Sequence, residues 1–295
     1  MGKPVILVLG ASGNIGAATV KSLSKHADKF DIRAGVRSPE KATALRDLAG
    51  VTVVQADMGK KAELVKTLAG VDRLFIVTPG HIDRAPLTIG AAEAAKEAGV
   101  KFVLVVSVPT VVLPETVFAK QCGEIEQTIP RLGIAYSFIR LPMFIDNHFG
   151  SVETIKGQGL IYAAAEPDKY HVVVAVSDAG SAATAILADP TKHEGKTYTV
   201  ASDGFTHAEL ASAFSEALGK EVKYVQVPYE AAKEAILKMG ILEWQGKGLV
   251  ELYETINAGH PALCSKDHLV DYEKITGQKA TSMKEWLKQV AGAFK

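Results

Sequence analysis

The segment that constrains this chain most is residues 3–20, KPVILVLGASGNIGAATV. Five apolar residues, Val5-Ile6-Leu7-Val8-Leu9, run into a turn holding Gly10, Gly13 and Gly16, and apolar residues restart at Ile15 with helical spacing. That order reads as strand, turn and helix. Gly10 permits a sharp turn, Gly13 lets the backbone approach a diphosphate, and Gly16 lets the helix sit close to the strand. Ala11, Ser12, Asn14 and Ile15 complete the loop, and the unpaired N–H groups of the first helical turn would face the anion. The spacing is G-x-x-G-x-x-G, one residue longer after the first glycine than the G-x-G-x-x-G fingerprint. An ordinary β-to-α turn also uses glycine. Here the strand before, the helix after and the position at the start of the chain together point to dinucleotide binding.

The same alternation continues downstream. Strands are expected at residues 31–36, 51–55, 71–77, 101–107 and 135–140. Between them come a helix opening at Ser38-Pro39, with Ser38 as N-cap, and helices over 60–68, 83–98 and 115–129. Strands alternating with helices imply a parallel sheet with right-handed crossovers. Beyond Leu141 the glycines at 150, 157 and 159 break the rhythm. Strands are expected there at 172–176, 196–201 and 222–227, with one helix capped by Asp178 and running to 188 and another capped by Thr206 and running to 218. The remainder reads as largely helical. The expected fold class is therefore α/β, with a doubly wound parallel sheet over residues 1–148 and a smaller α+β lobe over 149–295, parts of which return to the main sheet.

Charge balance narrows the partners. Lys and Arg number 33 against 33 Asp and Glu, spread along the chain, so neither a nucleic-acid footprint nor attraction to an anionic membrane is expected. Small molecules or other proteins remain. Two cysteines, Cys122 and Cys264, make no disulfide framework and no metal-ligand spacing, which suits a reducing compartment. The longest apolar run, 102–113, is too short for a membrane span and carries Pro109. The first strand begins too near Met1 for a secretory signal, so a soluble, cytoplasmic protein is expected. His148 and His171 lack ligand-spaced partners and read as structural histidines, and no metal site is expected.

The residue after the second strand decides the nucleotide. A site selective for NAD places Asp or Glu there, about 20 residues beyond the glycines, to accept from the ribose hydroxyls. Here it is Arg37, with Lys41 one helical turn on. A carboxylate would repel the 2′-phosphate of NADP, whereas a guanidinium can grip it with two hydrogen bonds. The expected cofactor is NADP(H), against the alternative of a solvated surface arginine.

Several segments together resemble the NmrA-like family of atypical short-chain dehydrogenases, relatives of isoflavone reductases, NADPH quinone reductases and NADPH-sensing regulators. They are GASGNIG at 10–16, GVRSPEK at 35–41, VVQADM at 53–58, LGIAYSFIRLPMFIDN at 132–147, VVVAVSDAGSAATAILADP at 172–190 and DYEKITGQKATSMKEWL at 271–287. The resemblance implies a Rossmann-type sheet. It also implies that Asp57 holds the adenine amino group, with capping of the next helix as the alternative. Thr78, Pro79 and Gly80 would run along the pyrophosphate and nicotinamide ribose, a plain turn being the rival. Ser107 would lie near the substrate, or bond the local backbone. Pro142, Met143, Phe144 and Asn147 could wall the nicotinamide pocket, Phe144 and Phe149 could offer flat apolar surface to an aromatic acceptor, and Tyr170 could reach the cleft from the small lobe.

Hydride transfer also needs a proton source. The Tyr-x-x-x-Lys pair of ordinary short-chain dehydrogenases is absent: Thr116 stands four residues before Lys120, and the expected helix over 115–129 has no tyrosine. Plant reductases of the family use a lysine early in this helix. Lys120 is the candidate, although anchoring on GEIEQ brings Cys122 nearer that position. A buried lysine beside a cationic cofactor site would have a lowered pKa and could serve as the acid; an exposed helix lysine is the alternative. Two functions stay open: an NADPH-dependent reductase of a quinone, aldehyde or phenolic carbonyl, and a non-catalytic NADP(H) sensor acting through a protein partner.

Overall fold

Helices cover both faces of the first strand, so Ile6, Leu7, Val8 and Leu9 have no exposed surface and the apolar run is continuous instead of alternating. The computed structural model describes residues 2–295. In chain order the first elements are β1 (Val5–Leu9), α1 (Asn14–Ser24), β2 (Asp31–Val36), α2 (Thr43–Arg46), β3 (Val51–Gln55), α3 (Lys61–Thr67), β4 (Arg73–Ile76), α4 (Arg84–Glu97), β5 (Phe102–Ser107), α5 (Val117–Thr128) and β6 (Ala135–Arg140). There follow β7 (Met143–Phe144), α6 (Val152–Gln158), β8 (Leu160–Ala163), β9 (His171–Val174), α7 (Val176–Ala188), β10 (Thr197–Thr199), β11 (Asp203–Phe205), α8 (His207–Leu218) and β12 (Lys223–Gln226). Helices α9 (Tyr229–Lys238), α10 (Glu243–Asn257), α11 (Pro261–Cys264), α12 (Val270–Thr276) and α13 (Met283–Val290) close the chain.

The chain divides into two units. The first comprises residues up to 111, 120–141 and 176–199; the second comprises 112–119, 142–175 and 200–295. Seven parallel strands form the sheet of the first unit in the order β10-β6-β5-β4-β1-β2-β3. This is a Rossmann-type sheet, with β10 added beside β6. The strand order reverses between β1 and β4, and ligands of open α/β sheets lie at such a switch point, outside the carboxyl ends of the strands. In the second unit β7 and β11 flank β9, and β8 pairs with β12 in parallel. Ile145, Phe205, Phe214, Trp286 and Phe294 are among its buried core residues. Among the described residues no helix is long and apolar enough to cross a membrane.

Several elements differ from expectation. The expected helix at Ser38-Pro39 is one 3-10 turn, Pro39–Lys41, followed by the four-residue α2, and the Ser38 side chain makes no capping bond. Helix α7 begins at Val176, so Asp178 lies in its first turn instead of capping it; a carboxylate there still favours the positive helix end. Strands β7, β8 and β11 are two to four residues long, too short to carry an alternation pattern. Thr206 does cap α8, in a reciprocal capping box with Glu209.

Candidate functional site

Three glycines shape the turn after β1 for different reasons. Gly10 has φ +72°, and a Cβ there would lie 2.1 Å from the Val77 carbonyl oxygen. A Cβ on Gly16 would lie 2.3 Å from the Gly10 carbonyl oxygen and 2.8 Å from the Ala11 Cα. Backbone conformation and packing thus demand both. Gly13 is different: it has φ −84° and ψ 167°, which any residue adopts, and a Cβ there would meet only the Gly10 carbonyl oxygen, at an ordinary 3.4 Å. Nothing in the protein requires a glycine at 13. What remains is a cradle that a side chain would fill.

The loop is held by Ala11 N–H donating to the Gly35 carbonyl at 3.1 Å and Gly13 N–H donating to the Gly10 carbonyl at 3.0 Å. Ala11 is buried, while Ser12, Gly13 and Asn14 are exposed. Gly13 is the N-cap of α1, no side chain caps that helix, and its first turn has no acidic residue. Its positive end is therefore open to an anion.

One residue beyond β2, Arg37 is exposed, and among the described residues no carboxylate pairs with it. Lys41 is exposed within the 3-10 turn Pro39–Lys41, which Arg46 clamps through the Pro39 carbonyl at 2.8 Å. Asp57, after β3, caps no helix: its carboxylate accepts from the Gly59 N–H at 2.9 Å, and the N-cap of α3 is Lys60. Thr78, after β4, lies 2.6 Å from the Thr88 hydroxyl. Thr88 sends its own proton to the Arg84 carbonyl, so Thr78 is the donor of that pair. These positions all follow the carboxyl ends of strands in one sheet, on both sides of the β1/β4 reversal.

The carboxyl ends of β5 and β6 are joined by a polar group whose main partner the sequence reading missed. Ser107, buried, donates to Glu126 Oε1 at 2.5 Å; Arg140 donates to the same carboxylate through Nε at 2.9 Å and through Nη2 at 2.5 Å. Glu126 sits on α5, one helical turn after the buried Cys122, whose thiol pKa is pushed up mainly by burial. Ser107 thus bonds a carboxylate, not the local backbone, and its proton is already engaged. Lys120 is exposed on α5.

In the second unit, Pro142 is buried and Phe144 is half-buried in β7 beside β9. Asn147 is exposed in the 3-10 turn Ile145–Ser151. Phe149 stacks on Phe294 with ring centroids 5.6 Å apart and meets Trp286 edge to face, so one of its faces serves the core of this unit. Tyr170 lies against Gly204, where a Cβ would come 2.1 Å from its hydroxyl, and under the Lys266 ammonium at 5.3 Å.

His148 and His171 read as structural in the sequence, and the structure joins a third, His207, to them. The His171 and His207 rings stack with centroids 4.8 Å apart, both buried, and Tyr224 lies 4.7 Å from His207. Desolvation pushes the pKa of His171 down to about 4 and that of His148 to about 4, and desolvation with the neighbouring histidines pushes His207 to about 2. The unfolded chain takes up these protons near pH 6.5, while the native state stays neutral until about pH 4 or below. Stability should therefore fall as pH drops through 6.5. Each of the two fully buried rings contributes a loss of roughly 1.4 kcal/mol between pH 7.5 and 5.5. Denaturant midpoints at those two pH values check this, and equal midpoints would contradict it.

The sequence profile of the NmrA-like family matches residues 2–287. The chain is 31% identical to an NAD(P)H azoreductase of Xenophilus azovorans, over 98% of this chain and 99% of that protein. Among solved structures it is similar to an NADPH-dependent quinone oxidoreductase of Escherichia coli complexed with NADPH, with TM-score 0.84 and 28% identity over 97% of this chain and 99% of the other. It is also similar to the Citrobacter sp. triphenylmethane reductase complexed with NADP(H), with TM-score 0.82 and 27% identity over 97% of this chain and 99% of the other.

Proposed function

This chain belongs to the NmrA-like family, and from that premise we propose that it is an NADPH-dependent reductase of small, electron-poor acceptors such as quinones and azo compounds. The observation that carries the reading is the cradle at Gly13, a glycine that neither backbone conformation nor packing requires, opening on an uncapped helix terminus. The residues fit the cofactor. Gly10, Ala11, Ser12, Gly13, Asn14, Ile15 and Gly16 would hold the diphosphate, and Arg37 with Lys41 the 2′-phosphate. Asp57 would lie on the adenine side, and Thr78, Pro79, Gly80 and Ser107 on the nicotinamide side. When bound, the reduced nicotinamide supplies a hydride to the acceptor.

The proton supply limits the acceptor. Ser107 donates its hydroxyl hydrogen bond to the Glu126 side chain, which also accepts two hydrogen bonds from Arg140, and Lys120 is exposed. Water then protonates the product. A quinone suits that arrangement, because the hydroquinone anion left by hydride addition delocalises its charge and needs no enzymatic acid in the same step. An unactivated aldehyde, leaving a localised alkoxide, does not.

Following NADPH oxidation with a naphthoquinone, an azo dye and an aliphatic aldehyde tests the reading. Turnover of the first two, at kcat/KM at least tenfold above the aldehyde, is expected, with Lys120→Ala within about twofold of the parent. Tight NADPH binding without turnover of any acceptor would favour the non-catalytic sensor. A tenfold loss in Lys120→Ala would make that lysine the acid.

A further inference from the structure

The loop 77–83, between β4 and α4, contains the residues assigned above to the nicotinamide half of the cofactor. His81, Ile82 and Asp83 in it are exposed, Ile82 by 57%. Its inner end is tied by the Thr78 hydroxyl to Thr88. Its middle is held from another element by one side chain. Gln121, on the second turn of α5, donates through Nε2 to the His81 carbonyl at 3.1 Å and to the Ile82 carbonyl at 2.8 Å.

Gln121 is 9% exposed, and its Oε1 is buried without a hydrogen-bond partner. An amide half satisfied in the interior is unfavourable for folding, and a buried polar atom left unpaired needs a reason beyond stability. An apolar side chain of the same length would fill the space without that penalty. What it could not do is hold two successive carbonyls of an otherwise exposed loop at a fixed distance from α5. Five residues on along the same helix, Glu126 fixes the ends of β5 and β6 through Ser107 and Arg140. Helix α5 thus ties the loop after β4 to the carboxyl ends of β5 and β6, three of the four strands on one side of the β1/β4 reversal. The adenine side, beyond β2 and β3, receives no such tie from α5.

We propose that Gln121 is a positioning residue for the nicotinamide half of the cofactor: through the His81 and Ile82 carbonyls it holds the loop 77–83 in the form that receives that half, while the adenine half binds independently of it. This rests on the coenzyme reading above. Binding of two probes tests it, NADPH and adenosine 2′,5′-bisphosphate, which carries the adenine half with its extra phosphate and no nicotinamide.

Gln121→Met removes both donors and the orphan acceptor at nearly constant volume, so its thermal midpoint should stay near that of the parent. Its Kd for NADPH should rise on the order of tenfold, as expected for two lost hydrogen bonds, while its Kd for the bisphosphate stays within about twofold. Gln121→Glu, which sets a carboxylate against the two carbonyls, should give the same split in larger measure, and it serves if the methionine variant does not fold. An NADPH Kd unchanged in both variants, or both probes weakened in equal proportion, would overturn the proposal. Parent protein that binds neither probe would overturn the coenzyme reading itself, and this inference with it.

Discussion

Gly13→Val should fold much as the parent does and lose NADPH affinity by a hundredfold or more. The backbone at 13, with φ −84° and ψ 167°, lies where β-branched residues are comfortable, and the first added carbon meets only one carbonyl oxygen at 3.4 Å. The folding penalty is that of a poorer N-cap, at most about 1 kcal/mol. The branched side chain would occupy the space over the α1 terminus where the diphosphate is proposed to sit. Excluding it from those N–H groups corresponds to at least roughly 2.7 kcal/mol of binding, a factor of about a hundred. Gly10→Ala and Gly16→Ala are the controls, since each would drive a Cβ to within 2.3 Å of a carbonyl oxygen and should fail on stability before binding can be measured. Thermal midpoints with NADPH titrations separate the three. A Gly13→Val variant that keeps its affinity would remove the diphosphate from this turn.

Glu126→Ala should be the most destabilising single substitution away from the turn. Its carboxylate takes three donated hydrogen bonds, two from Arg140 and one from Ser107. Both charged side chains are largely buried, with 24% of Arg140 and 14% of Glu126 exposed. Removing the acid strands a guanidinium and a buried hydroxyl, and breaking such a pair costs about 3 kcal/mol or somewhat more. For a chain of this size that lowers the melting temperature by roughly 5–10 °C. Adding Arg140→Met should recover part of the loss, because the stranded charge goes with it. A shift under about 2 °C for Glu126→Ala would mean the pair is solvated and contributes little.

The contrast between these two residues explains what the sequence could and could not tell. Turn chemistry is local: three glycines, an apolar run before them and a helical pattern after them announce the β1–α1 junction, and the alternation that follows announces the parallel sheet. Arg37 was visible for the same reason, because the end of β2 lies a fixed distance along the chain from the glycines. Glu126 and Arg140 meet across 14 residues of sequence, and Gln121 meets His81 across 40, through the path of α5 over the sheet. No local pattern marks such pairs. The polar cluster could have been suspected only from the spacing of Cys122 and Glu126 on one helix face.

The catalytic side was harder still. Lys120 is a candidate through resemblance alone, and it stands exposed on α5. Phe149 reads as a flat surface for an acceptor, and one of its faces stacks on Phe294, four residues beyond the end of α13 and far along the chain. Strands β7, β8 and β11 owe their existence to pairing with partners in other elements, Gly204 with Val172 and Tyr162 with Val225 among them. Their own residues carry too little pattern to predict them.

The central requirement is a nucleotide whose diphosphate rests on the α1 terminus and whose 2′-phosphate meets Arg37. Calorimetric titration of the unmodified protein with NADPH and with NADH, at one fixed salt concentration, tests it most directly. NADPH should bind at least tenfold more tightly than NADH, and Arg37→Ser should bring the two dissociation constants together. Equal constants in the parent protein, or no binding of either nucleotide, would contradict it.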